Sequence, residues 1–474
     1  MGSRWLDELA PALGPSSGAA AQRLARSADG KGIIVTTGQQ PGLFGGPVYT
    51  WSKALSALAL ADAIEAETGV PTAPVFWAAT DDSDFAEGAS TWIARPGGAE
   101  RLSIASAMPE GTRVADIPLP DVRELLSQIE GACGSAADTR IIDYLKRAYG
   151  AKATVGGAYL ALLRSVLEPL GIAVLDAAHP ATARAAHPFL LRALHERERV
   201  ARALTDRSAA ISAAGYQPQV VDMPDLTLVF ERRGLVRERI PKARASVVAA
   251  TSEPGSLSPN VLLRPVVERS LMPTVAYVAG PGEITYFAQV SAVAEGTGLP
   301  APMAVPRWSV TLVEPHVEDL LARYGLAIDD LADPHAAETQ LARDAWPSGV
   351  ARSMQGLRRE VADRLANLKA SLAEVDGLTP AATVDGAARA LEWRISRLER
   401  RINASVKRRE TALVRDLATI RGSLYPGGAR QERALNLVPM LARHGLGLLE
   451  DMRGVAAAHA RSLVLASREP VVAS

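Results

Sequence analysis

The chain has 474 residues, with 52 Lys plus Arg against 52 Asp plus Glu, and a single cysteine. That length exceeds what one core usually fills, so two or more domains are expected. A net charge of zero argues against bulk nucleic-acid binding and membrane-surface attraction, and one cysteine excludes a disulfide framework or a cysteine-rich metal site.

The start, Met1-Gly2-Ser3-Arg4-Trp5, carries no apolar leader core, and no run approaches about 18 apolar residues, so a soluble cytoplasmic protein is expected. Residues 1–31 predict a short amphipathic helix with Trp5, Leu6 and Leu9, then a Gly/Ser/Ala linker. Ile33-Ile34-Val35 reads as a buried strand. The glycine-rich stretch Gly38-Gln39-Gln40-Pro41-Gly42-Leu43-Phe44-Gly45-Gly46-Pro47 follows at once, and no helix can run through it. From Tyr49 to about Glu67 apolar residues recur every three or four positions, closed by Gly69 and Pro71, which predicts a helix. Pro74-Val75-Phe76-Trp77-Ala78-Ala79 is a second strand, with Asp81, Asp82, Asp84 and Glu87 just past its end.

Strand, glycine turn, helix and strand make one βαβ unit, hence a parallel sheet whose ligands sit beyond the carboxyl ends of the strands. The turn suits an anion, through close backbone approach and a helix N-terminus, and the acids suit a metal, an amine or hydroxyls. A glycine turn is often only a turn, and an Asp after a strand is often only a helix cap. The adjacent amides Gln39 and Gln40 favour a functional reading, because nothing in a tight turn requires them. Neither the Walker A pattern nor G-x-G-x-x-G is present.

Residues 92–160 are less periodic and read as an insertion, with helices near Val122–Ile129 and Ile141–Ala148; Cys133 inside it reads as an incidental small residue. A helix from about Thr154 to Leu170 leads to a third strand, 171–176, ending at Asp176 on the expected ligand edge. His187 and His195 on the charged helix that follows are eight apart, which is not a chelate spacing. A second insertion, near 200–255, alternates as a hairpin around Arg232-Arg233-Gly234. The strand, turn and helix pattern then repeats. Thr274 to Ala279 is a strand, Gly280-Pro281-Gly282 a turn, Glu283 to about Gly296 a helix, and 301–307 the last strand. Arg264 suits a carboxylate or phosphate through its bidentate fork, or a surface ion pair, and Glu283 complements a helix dipole.

Strands cease after Glu314-Pro315. Leu357, Val361, Leu365, Leu368, Leu372 and Val375, then, after a Gly/Thr/Pro break, Leu391, Ile395, Leu398, Ile402, Val406, Leu413, Leu417, Ile420 and Leu424 keep a three-and-four spacing that predicts an antiparallel coiled coil. The basic excess over 391–424 reads as a solvated face or a dimer seam. The expected division is a Rossmann-like domain over 1–314 and a helical coiled-coil domain with a C-terminal return over 315–474.

Four separated motifs carry a resemblance. They are Thr36-Thr37-Gly38-Gln39-Gln40-Pro41-Gly42-Leu43-Phe44-Gly45-Gly46-Pro47 with Tyr49 and Lys53; Pro74-Val75-Phe76-Trp77 with Asp82 and Asp84-Phe85; Ser258-Pro259-Asn260, Arg264-Pro265 and Gly280-Pro281-Gly282-Glu283; and Tyr425-Pro426-Gly427-Gly428 with Arg430-Gln431-Glu432-Arg433, Asn436 and Pro439. In this order the chain resembles the bacillithiol biosynthesis cysteine-adding enzyme family, BshC, over residues 33 to about 445. The resemblance implies an α/β Rossmann-like parallel sheet of the class I synthetase and nucleotidylyltransferase kind, and a coiled coil that forms a homodimer. It implies a ligase that joins the carboxyl of L-cysteine to the amine of glucosaminyl malate, with ATP or ADP expected, Mg2+ compatible, and no nucleic-acid or membrane partner. Asp82, Asp84, Gln39 and Gln40 would be catalytic. Gly38, Gly42, Gly45, Gly46, Tyr49, Trp77, Asn260, Arg264, Gly280, Gly282, Glu283 and Tyr286 would hold substrate or nucleotide, and Tyr425, Gln431, Arg433 and Asn436 would form a second nucleotide site. Ser83 stands where the family typically has histidine, so a mechanism that uses that base is unavailable and the amine substrate is left open. Two other classes stay in play: a related ligase or nucleotidylyltransferase-like enzyme with another substrate, and a non-catalytic dimeric nucleotide-binding scaffold.

Overall fold

The computed structural model describes residues 4–14, 17–136, 138–150, 152–221, 223–375 and 381–466. The expected Gly/Thr/Pro break near 376–380 lies outside them. The described chain divides into two compact units: 4–93, 101–311 and 432–466 form the first, and 94–100 with 312–431 the second.

The strands are β1 Ile33–Gln39, β2 Thr72–Ala78, β3 Ser90–Arg95, β4 Gly98–Ser103, β5 Ala173–Asp176, β6 Leu226–Arg233, β7 Val236–Pro241, β8 Leu257–Pro259, β9 Thr274–Ala279 and β10 Met303–Pro306. Five of them make one sheet in the order β10-β9-β1-β2-β5, every pair parallel. The apolar runs fit a sheet covered on both faces, since every residue of β2 is buried. Because all five strands run the same way, their carboxyl ends share one edge. The chain proceeds from β1 to β2 and β5 on one side, then returns to β9 and β10 on the other. The switch point therefore lies between β1 and β9, where an open α/β sheet forms its ligand crevice.

β1 runs further than its apolar core suggests. Gly38 pairs with Trp77 and Gln39 with Ala78, so both belong to the strand and the turn proper begins at Gln40. Phe44, buried in that turn, adopts φ 54°, a conformation non-glycine residues rarely take. The Tyr149 hydroxyl accepts a hydrogen bond from its amide at 2.7 Å and the two rings pack 4.7 Å apart. The Val48–Thr68 helix follows. The β3–β4 hairpin had no clear sequence signal, because Gly97-Gly98 reads equally well as loop punctuation. The expected β6–β7 hairpin forms and gains β8 as a third strand.

The C-terminal return differs from the expected division, since 432–466 belongs to the first unit. The Gly447–Ala466 helix lays Ala456 and Ala460 into one apolar cluster with Val35, Ala57, Ala61, Ala276 and Val278, and Arg453 pairs with Asp62 at 2.8 Å. The small side chains let this helix approach the sheet-covering helix closely.

In the second unit, Ser348–Ala373 and Ala381–Arg409 are long helices that pack on each other. Arg358 ties them through Glu392 and Glu399, each at 2.9 Å, and Lys369 through Asp385 at 2.7 Å. A small core of Val317, Leu321, Leu331, Leu341, Leu417, Ile420, Leu424 and Tyr425 closes one end. Leu357, Leu368, Leu391 and Leu398, four positions of the apolar repeat, stay exposed. Among the described residues no helix is long and apolar enough to cross a membrane.

Candidate active site

A cavity of about 510 Å³ opens at the switch point. The ends of β1 and β9 supply Gly38, Gln39, Gln40 and Gly280, and the segment after β2 supplies Asp81, Asp82, Ser83 and Glu87. The β6–β7 hairpin adds Phe230, Arg237 and Arg239, Asn260 adds a neutral amide, and Arg264, Arg307 and Arg433 complete the cationic lining.

Lys53 is the buried centre of one wall. It sits one turn into the Val48–Thr68 helix, 2% exposed, and its Nζ donates to Gly38 O at 2.5 Å and to Gln39 Oε1 at 3.2 Å while pairing with Glu283 at 2.6 Å. Burial lowers the lysine pKa, and Glu283 partly restores it. Burial also opposes ionisation of Glu283, yet Lys53 and the Gly280 amide outweigh it and hold the carboxyl below its ordinary value. Glu283 accepts from Gly280 N at 2.7 Å and from the Tyr277 hydroxyl at 2.8 Å, and Arg264 donates to that hydroxyl at 3.2 Å. Glu283 thus does more than complement a helix dipole: it ties β1, β9 and the Pro281–Thr297 helix together at the crevice. Beneath Arg264, Glu268 is fully buried, and desolvation pushes its carboxyl up to about 7.

The opposite wall is the segment after β2. Its backbone is pinned by Val114 N to Asp82 O at 2.8 Å and Ala115 N to Thr80 O at 3.0 Å. Arg237 donates to Asp81 O at 3.0 Å, to Pro259 O at 3.1 Å and to Asp82 Oδ1 at 3.2 Å, and its guanidinium lies 4.2 Å from the centre of the Phe230 ring. Asp82 Oδ1 also accepts from Ser83 N at 2.6 Å, and Gln40 Nε2 donates to Oδ2 at 2.6 Å. Gln39 donates to the Tyr49 hydroxyl at 3.0 Å. Arg307 forms a bidentate pair with Glu432, both contacts 2.7 Å.

The structure brings together Gln39, Gln40, Asp82, Gly38, Tyr49, Asn260, Arg264, Gly280, Gly282, Glu283, Tyr286 and Arg433 around this cavity. It places the other candidates elsewhere. Asp84 is exposed and caps the short Phe85–Gly88 helix by accepting from Glu87 N at 3.1 Å. Gly42, Gly45 and Gly46 shape the turn without lining the cavity; Gly45, at φ 88°, leaves no room for a Cβ beside the Trp51 ring. Trp77 lines a smaller chamber behind Asp81.

Of the proposed second nucleotide set, Arg433 lines the main cavity. Asn436 is buried and staples the glycine turn, donating to Phe44 O at 3.0 Å and Leu43 O at 3.3 Å. Gln431 and Tyr425 belong to the second unit, where Gln431 exchanges hydrogen bonds with Leu312, both 2.7 Å, and Tyr425 joins the apolar core. Cys133 is buried, its thiol pushed up to about 11 by desolvation, which fits an incidental residue. Lys53, quoted in the first motif, and Asp81, part of the acidic cluster, also line the site, and Arg237 and Arg307 complete it beyond the residues named from the sequence as candidates.

Both oxygens of Asp82 are engaged by cationic or N–H donors, and no group of three His, Cys, Asp or Glu side chains suited to a metal occurs among the described residues. These donors do not fit a resident metal ion.

Comparison with known families decides the kinship. Residues 5–308 match the model for the Bacillithiol biosynthesis BshC N-terminal Rossmann-like domain, and residues 310–461 match that for its C-terminal coiled-coil domain. The chain belongs to the BshC family. Among its relatives, the proteins named "Putative cysteine ligase BshC" from Solibacter usitatus and Koribacter versatilis are each 33% identical, over 90% and 92% of this chain and 82% and 84% of theirs. The Bacillus licheniformis protein of the same name is 25% identical over 91% of this chain and 84% of its own. The Rossmann-like sheet and the family inferred from the motifs are thus borne out, and membership identifies the chain with a family of ligases.

Proposed function

We propose that this BshC-family chain joins the carboxyl of L-cysteine to the amine of glucosaminyl malate, producing bacillithiol. The observation that carries the reading is the charge pattern of the cavity: Asp81, Asp82 and Glu87 follow β2, whereas Lys53, Arg237, Arg264, Arg307 and Arg433 come from the other elements. Carboxylates suit an amine, and guanidinium forks suit the malate and cysteine carboxylates or a phosphate. Amide formation from a carboxylate needs an activated acyl group, for which ATP is the reagent. Exposed Arg433 and the open turn at Gly282 offer room for its phosphates. Mg2+ would arrive on those phosphates. The exposed leucines along the two long helices support a homodimer through the coiled coil.

The test incubates the purified protein with ATP, Mg2+, cysteine and glucosaminyl malate and seeks the mass of bacillithiol. Product accompanied by AMP supports an adenylate, and product with ADP an acyl phosphate. Absence of product from folded protein overturns the reading and points to a different amine at the Ser83 side of the cavity.

A further inference from the structure

Two adjacent aspartates face the cavity, and their surroundings differ. Asp82 already accepts from Arg237 and Ser83 N at Oδ1 and from Gln40 at Oδ2, so its carboxylate is largely engaged within the protein. Asp81 gives its backbone oxygen to Arg237, while its carboxylate makes no hydrogen bond to a described residue. It lines the main cavity on one side and a small chamber of about 30 Å³ on the other, which is room for one or two waters. Trp77 and Arg237 also line that chamber, and their Nε1 and Nε find no protein acceptor, so water there has donors to engage.

We propose that Asp81 is the general base of the acyl transfer, a step resting on the ligase reading above. The amine arrives after shedding one proton to solvent. Its lone pair forms the new C–N bond at the activated cysteinyl carbon, the bond from that carbon to the phosphate oxygen breaks, and the electron pair leaves with that oxygen. The proton released by nitrogen passes to the Asp81 carboxylate. The pinned backbone on either side holds Asp81 in place, as a base aimed at one proton requires. Burial raises the Asp81 pKa toward that of a useful base, Arg237, Arg264 and Arg113 oppose the rise, and Asp82 adds to it. Asp81 supplies a proton acceptor where this chain carries Ser83.

The test compares wild type with Asp81→Asn, measuring bacillithiol formation at saturating substrates and glucosaminyl malate binding by calorimetry. The expected result is a kcat lowered by about 100-fold or more with affinity changed by less than about threefold. D81N turning over within about tenfold of an active wild type overturns the proposal alone. Wild type that makes no product removes the ligase reading and this step with it. If D81N loses binding as well as turnover, Asp81→Glu decides: turnover within about tenfold of wild type supports the base, and turnover as low as D81N overturns it.

Discussion

Glu268 shows how a residue far from solvent sets conditions for one that lines the cavity. Its carboxyl lies under Arg264 with a pKa of about 7 against an ordinary 4.5. The folded state therefore holds this proton more tightly than the unfolded chain, and the contribution to stability is full below about 4.5 and is lost as pH rises through about 7. Glu268→Gln removes that dependence. Denaturant titrations should show the variant gaining on wild type between pH 5 and 8, by on the order of 3 kcal/mol; parallel curves would contradict the assignment. Arg237 is the second residue of this kind. It reaches Asp81 O, Asp82 and Pro259 O at once, a span that a lysine ammonium cannot copy. Arg237→Lys should lower kcat/KM by about 10- to 100-fold with little change in the melting temperature. At this scale the sequence was only partly legible. Gln40 and Asp82 were singled out and do meet, at 2.6 Å, whereas Arg237 lay in a strand where alternation was visible and partners were not.

Among elements, the turn after β1 depends on residues almost four hundred positions away. Asn436 holds its carbonyls, and Phe44 keeps a left-handed backbone between Tyr149 and that staple. Asn436→Ala leaves buried carbonyls without a donor and should cost about 2–3 kcal/mol of stability in urea titrations. Activity should fall with it, because Gln39 and Gln40 lead directly into the turn. The βαβ unit was legible because apolar runs, glycines and helix periodicity are local signals. The function of Asn436 was not, since a motif shows that a residue is placed near others without showing whether it meets ligand or backbone. Asp84 taught the same lesson, for an acid after a strand became a helix cap.

At the scale of the whole molecule, the coiled-coil spacing was plain in the sequence, but the end of that domain was not. The Gly447–Ala466 helix is apolar and alanine-rich like its neighbours in sequence, and only packing against Ala57 and Ala61 assigns it to the first unit. The exposed Leu357, Leu368, Leu391 and Leu398 carry the dimer proposal. Replacing Leu391 and Leu398 by glutamate should convert the particle to a monomer by light scattering, and an unchanged mass would exclude that seam. On the ligase reading proposed above, the switch-point cavity activates the cysteine carboxyl for amide formation. The most direct measurement supplies cysteine with both carboxyl oxygens as 18O, together with ATP, Mg2+ and glucosaminyl malate, and follows the label by mass spectrometry. One labelled oxygen should appear in bacillithiol and the other in AMP or inorganic phosphate; labelled product whose phosphate species stay unlabelled, or no product at all, would contradict that activation.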